Sequence, residues 1–107
     1  MITITYYREH CRVRIDGHAG YAPEGQDIVC ASVSSLAYTL AANAQRLAAI
    51  GAAGDLVCTL DKGTGEIGVT PKRKYRGSVE MVFRTVCAGF EMLAQSYPNY
   101  IRYEIHG

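Results

Sequence analysis

The side chains best suited to chemistry are Cys30 and His18, a thiol and an imidazole at the two ends of one glycine-rich stretch. A cysteine and a histidine within hydrogen-bond reach form the smallest nucleophile-plus-base arrangement. The imidazole takes the thiol proton and later gives it to a leaving amine. If Asp27 is a helix N-cap, Cys30 is the third helical residue. Its sulfur then lies beside free backbone N–H groups and the positive end of the helix dipole, surroundings that favour a thiolate nucleophile. The same N–H groups offer a site for the oxyanion of a tetrahedral intermediate. Between the two residues, Gly20 and Gly25 bracket Tyr21, Pro23 and Glu24. The segment Ala19 to Gln26 is expected to be mobile when empty and to close over an extended peptide, laying Tyr21 on it. Each residue type also has an ordinary reading: an inert packed cysteine, a solvated histidine, a helix cap, turn glycines.

The remaining candidates point to less. Cys11 is predicted on a strand face with Val13 and Ile15, Cys58 on one with Leu56 and Leu60, and Cys87 follows Val86 on a helix. No Cys-x-x-Cys pair and no zinc-finger spacing is present, so neither a metal site nor a cofactor is predicted. The N-terminus reads as a strand and not as a signal peptide, so all four thiols are expected to be reduced in a cytoplasmic protein. A net charge of +1 gives no footprint for nucleic acid, and the eight tyrosines form no stacking platform. The run Lys72-Arg73-Lys74, with Arg76 nearby, reads as a solvated loop. The alanine-rich run from Val33 to Gly54 carries too many polar residues to span a membrane.

The elements that must hold Cys30 and His18 follow from periodicity. Ile2, Ile4 and Tyr6 alternate with polar neighbours, as do Cys11, Val13 and Ile15, which predicts a hairpin ending near Gly17. Asp27 then opens a helix whose stripe is Val29, Val33, Leu36, Leu40, Leu47 and Ile50, ended by Gly51 and Gly54. Leu56 to Leu60 and Glu66 to Thr70 are predicted strands joined by a turn through Gly63 and Gly65. Ser78 is the expected cap of a second helix striped by Val79, Val82, Phe83, Val86, Phe90, Leu93 and Tyr97, which stops at Pro98. A last strand runs from Tyr100 to Ile105. The order β-β-α-β-β-α-β predicts an α+β two-layer sandwich, two helices on one mostly antiparallel sheet, in a single domain over residues 1–107.

The string Gly17-His18-Ala19, followed by Gly25, Asp27, Val29-Cys30-Ala31 and Val33-Ser34, resembles the signature of the ribosomal-processing cysteine protease family, Prp. The resemblance implies Cys30 as nucleophile and His18 as general base. It matches Asp27 to the family's acidic residue, Ser34 to its serine, and Gly17 and Gly25 to its glycines. Gly20, Tyr21, Gly25 and Ser34 are then the expected substrate-binding residues. Ser32 departs from the pattern, where alanine is more usual. Beyond Gly51 the likeness is one of pattern and carries no site residue. The family implies a homodimeric endopeptidase that removes a short N-terminal extension from the large-subunit ribosomal protein numbered twenty-seven. The competing readings are a non-enzymatic ribosome-associated assembly factor, which needs no base beside a thiol, and a thiol redox sensor, which needs a resolving cysteine near Cys30.

Overall fold

The alternation at the N-terminus builds β1 (Ile2–Tyr7), with Ile2, Ile4 and Tyr6 buried against the helices. Through a single 3-10 turn, Arg8–His10, the chain reverses into β2 (Arg12–Gly17). Cys11 closes that turn in the left-handed region at φ 44° and is buried. It therefore precedes the strand on which its apolar neighbours suggested it would lie. The structure is a computed structural model and describes residues 1–23, 25–61 and 63–107. The remaining elements are α1 (Ile28–Ala49), β3 (Ala53–Asp61), β4 (Thr64–Pro71), α2 (Arg76–Ser96) and β5 (Ile101–His106).

The strands form one sheet in the order β3-β4-β2-β1-β5. Neighbours are antiparallel except β1 and β5, which run parallel with Ile4 opposite Tyr103. Both helices cover the same face, so the architecture is the expected two-layer α+β sandwich. Buried Phe83 and Phe90 of α2, Leu40 and Val29 of α1, and Ile4, Val13 and Ile67 of the sheet fill the space between the layers.

The inward stripe of α1 consists of Val29, Val33, Ala37, Leu40, Ala41 and Ala44. Alanines take the place expected of larger side chains because this helix lies close to its neighbours. A methyl at Gly89 of α2 would stand 3.0 Å from Leu36, which measures that closeness directly. Ile50, expected on the stripe, caps the helix end and is 70% exposed. Gly51 follows in the left-handed conformation at φ +78°.

Three other expectations are corrected. Gly54 lies inside β3 and does not terminate α1. A register shift between Gly54 and Val57, with Asp55 at φ 51°, breaks the alternation along β3, so Leu56 is exposed while Cys58 and Leu60 pack on the core. Helix α2 starts at Arg76, directly after a 3-10 turn over Arg73–Tyr75, and has no side-chain cap, so Ser78 lies within it. The basic run is thus continuous with a helix start. Among the described residues no helix is long and apolar enough to cross a membrane.

Candidate active site

The histidine is placed by the end of β2. Gly17 adopts φ +95°, and any side chain there would collide with the backbone carbonyl of Met1, so the position demands glycine. Its N–H donates to the Gly63 carbonyl in the β3–β4 turn at 2.8 Å, and the Met1 nitrogen donates to the His18 carbonyl. The backbone of His18 is therefore held between the start of β1 and the turn that follows β3.

The cysteine is placed by Asp27. With φ −82° and ψ 99° this residue is the extended N-cap of α1, and its Oδ1 accepts from the Cys30 N–H at 2.9 Å. Its Oδ2 accepts from the Tyr21 N–H at 3.1 Å, so one carboxylate joins the helix start to the glycine-rich loop. The Cys30 N–H bond, aided by those of Tyr21 and Ala22, holds the Asp27 carboxyl below the usual carboxylate range against a smaller opposing effect of desolvation. The Cys30 N–H, expected to be free for an oxyanion, is engaged by this cap. A different amide faces the sulfur: the Ala19 N–H points at Cys30 Sγ at 3.5 Å.

His18, Gly20, Gly25, Asp27, Cys30 and Ser34 all line one cleft of about 760 Å³. Tyr21 stands apart from them. Its ring packs edge-on against Tyr97 and Tyr100, with centroids 6.0 and 5.2 Å away. The imidazole of His18 makes no hydrogen bond to Cys30 among the described residues; its ring lies over Gly63, where a methyl would stand 2.8 Å from Nε2. Glu24, part of the expected lid, lies outside the described residues.

The other wall of the cleft was not legible in the sequence. Leu60 and Asp61 at the end of β3, Gly63 in the turn, and Thr64 and Gly65 at the start of β4 line it, as do Ile2 and Ile15. The one sequence signal was the pair of turn glycines, which indicated a hairpin and said nothing of what it faces. Cys11 and Cys87 lie elsewhere, in the core. Burial raises both thiols, that of Cys87 to about 12. Among the described residues no cluster of His, Cys, Asp or Glu could hold a metal ion.

A family model described as cysteine protease Prp matches residues 1–102. The chain belongs to the Prp family of cysteine proteases. The same sandwich is found in the ribosomal processing protease Prp from S. aureus with a covalently linked product peptide, at 25% identity and a TM-score of 0.74, covering 99% of this chain and 100% of that one. The protein SMU.848 from Streptococcus mutans is similar at 28% identity with a TM-score of 0.68, covering 97% of this chain and 90% of its own. A second S. aureus Prp structure, with a substrate peptide, aligns at 22% identity and a TM-score of 0.66 over 98% and 97% of the two chains, a likeness of fold. No curated protein sequence matches the chain. Membership in Prp makes this chain a cysteine protease.

Proposed function

We propose that this protease is an endopeptidase whose nucleophile is Cys30 and whose general base is His18, and that it removes the short N-terminal extension of the large-subunit ribosomal protein numbered twenty-seven. The observation that carries the reading is the Cys30 sulfur, on the first turn of α1, facing the same cleft as His18 with an amide directed at it. The relative from S. aureus is a ribosomal processing protease that holds a product peptide covalently, which is the behaviour of a nucleophilic enzyme.

The chemistry follows from these positions. His18 removes the Sγ proton, and the thiolate attacks the scissile carbonyl carbon while the C=O electron pair moves to oxygen. The Ala19 N–H, directed at the sulfur, stabilises the thiolate that forms when the proton leaves. Collapse breaks the C–N bond, the amine leaves with the proton held by the imidazole, and the acyl group stays on Cys30 as a thioester. His18 then deprotonates a water that hydrolyses the thioester, returning the proton to the thiol. Hydrogen bonds of this type are often long before substrate arrives and tighten in the complex. Asp27 fixes the helix start, while Gly20, Gly25 and Ser34 face the peptide from the cleft wall.

The resemblance further supports a homodimer acting in the cytoplasm as one catalytic domain. Met81 and Met92, both exposed on α2, supply apolar surface that a second copy can cover. The deciding experiment is cleavage of a peptide carrying the organism's own extension. Wild type should cut once, at the junction with the mature protein, and Cys30→Ala and His18→Ala should be inactive while folded. Turnover by Cys30→Ala would assign the nucleophile elsewhere.

A further inference from the structure

The sequence offers Gly63 as a hairpin glycine, yet its surroundings are those of an active-site support. It sits at φ +82°, its carbonyl accepts the Gly17 N–H at 2.8 Å, and its bare α-carbon faces the His18 ring. A methyl placed there would stand 2.8 Å from Nε2, 3.3 Å from Cε1 and 3.7 Å from Cδ2. Three ring atoms thus lie within contact distance of one point, so the ring rests on this residue.

We propose that Gly63 is a positioning residue for the base: the β3–β4 turn presents a side-chain-free surface on which the His18 imidazole is seated, and that seat sets the ring's approach to Cys30. The proposal rests on His18 being the base. Two physical requirements meet at this position. The left-handed backbone favours glycine, and the space above it is occupied by the ring. The second requirement separates Gly63 from an ordinary turn glycine such as Gly51, whose φ is +78° and whose added methyl would meet nothing nearer than Lys72 Nζ at 3.9 Å. The Gly17–Gly63 hydrogen bond makes the seat rigid, because the residue before the histidine is tied to the residue beneath its ring. A side chain at 63 displaces the imidazole by roughly the size of the overlap, and misplacement of a catalytic group by about 1 Å lowers turnover by up to about 100-fold.

Gly63→Asn and Gly63→Ala test this beside Gly51→Ala and His18→Ala. Asparagine tolerates the left-handed backbone, so Gly63→Asn keeps the turn while adding the obstructing Cβ. Expected for Gly63→Asn are native circular dichroism, kcat lower by about 10- to 100-fold, KM changed far less, a displaced limb in the pH profile of kcat, and shifted His18 ring resonances. Gly51→Ala should lose stability at wild-type kcat. In the wild-type protein, nuclear Overhauser contacts should join the His18 ring protons to the Gly63 α-protons. Their absence overturns the proposal even if neither position-63 variant folds. An inactive His18→Ala together with a Gly63→Asn of wild-type kcat and unshifted ring resonances overturns it while sparing the base assignment. Full activity in His18→Ala overturns the base assignment itself.

Discussion

At Cys30 and Asp27 the arrangement is set by single atoms. One carboxylate caps the helix and ties down the loop, while one loop amide addresses the sulfur. Cys87 is buried with its thiol raised to about 12, and Cys11 is buried and raised as well. Competitive alkylation near neutral pH with peptide mapping should therefore modify Cys30 well ahead of these two, by at least about tenfold, since reactivity follows thiolate content and access. Equal labelling of Cys11, Cys30 and Cys87 in the folded protein would contradict this. Asp27 makes a pH prediction whose sign is fixed. Its folded pKa is depressed, so the stabilisation it gives is present above the ordinary carboxylate range and is lost as pH falls through that range toward the folded value. Asp27→Asn keeps a capping oxygen and gives up the charge. Its urea midpoint should fall less than that of wild type between about pH 6 and about pH 3. Parallel curves for the two proteins would show that the carboxylate's charge plays no part in holding the helix start.

The elements bearing the site were legible wherever local signals agreed with packing. Asp27 followed by an apolar period announced α1 together with its cap, and Cys30 came with it. The period failed where tertiary packing intervened. The irregularity in β3 that turns Leu56 outward is set by pairing with β4, and the start of α2 is set by a 3-10 turn with no capping side chain. The Tyr21 loop shows the same limit. Its glycines suggested a lid that lays its aromatic on substrate, and nothing in the sequence signalled that this ring packs edge-on against Tyr97 and Tyr100 from the far end of the chain. Edge-on aromatic contacts contribute about 0.5–1.5 kcal/mol beyond area burial, enough to bias the position of a short loop. Tyr21→Ala should speed amide exchange from Gly20 to Gln26 and lower turnover several-fold, and Tyr21→Phe, which keeps the ring, should do neither. Equal exchange in both variants would mean that the Asp27 and Ala19 contacts alone hold the loop.

Across the whole molecule the two helices divide the labour. The cleft is lined from β1, β2, the segment between β2 and α1, α1 itself and the end of the β3–β4 hairpin, and among the described residues none of α2 or β5 lines it. Helix α2 instead closes the core with Phe83 and Phe90, both fully buried. Stability and chemistry are therefore separable by mutation. Phe83→Ala removes a large side chain from a closed site and should cost about 3–5 kcal/mol, a large fraction of the roughly 5–15 kcal/mol that holds a domain of this size. The urea midpoint should drop accordingly. The folded fraction, assayed well below its melting temperature, should cleave peptide with kcat within about twofold of wild type, because ΔΔG from distant sites adds without coupling. Cys30→Ala should do the reverse, removing activity with little change in the midpoint, since Cys30 is only partly buried, alanine keeps its Cβ, and the residue-30 N–H still donates to Asp27. A Phe83→Ala protein that is fully folded yet slow would show that α2 acts on the cleft through the sheet. The route would then run from β4, which α2 contacts directly, to the turn beneath His18.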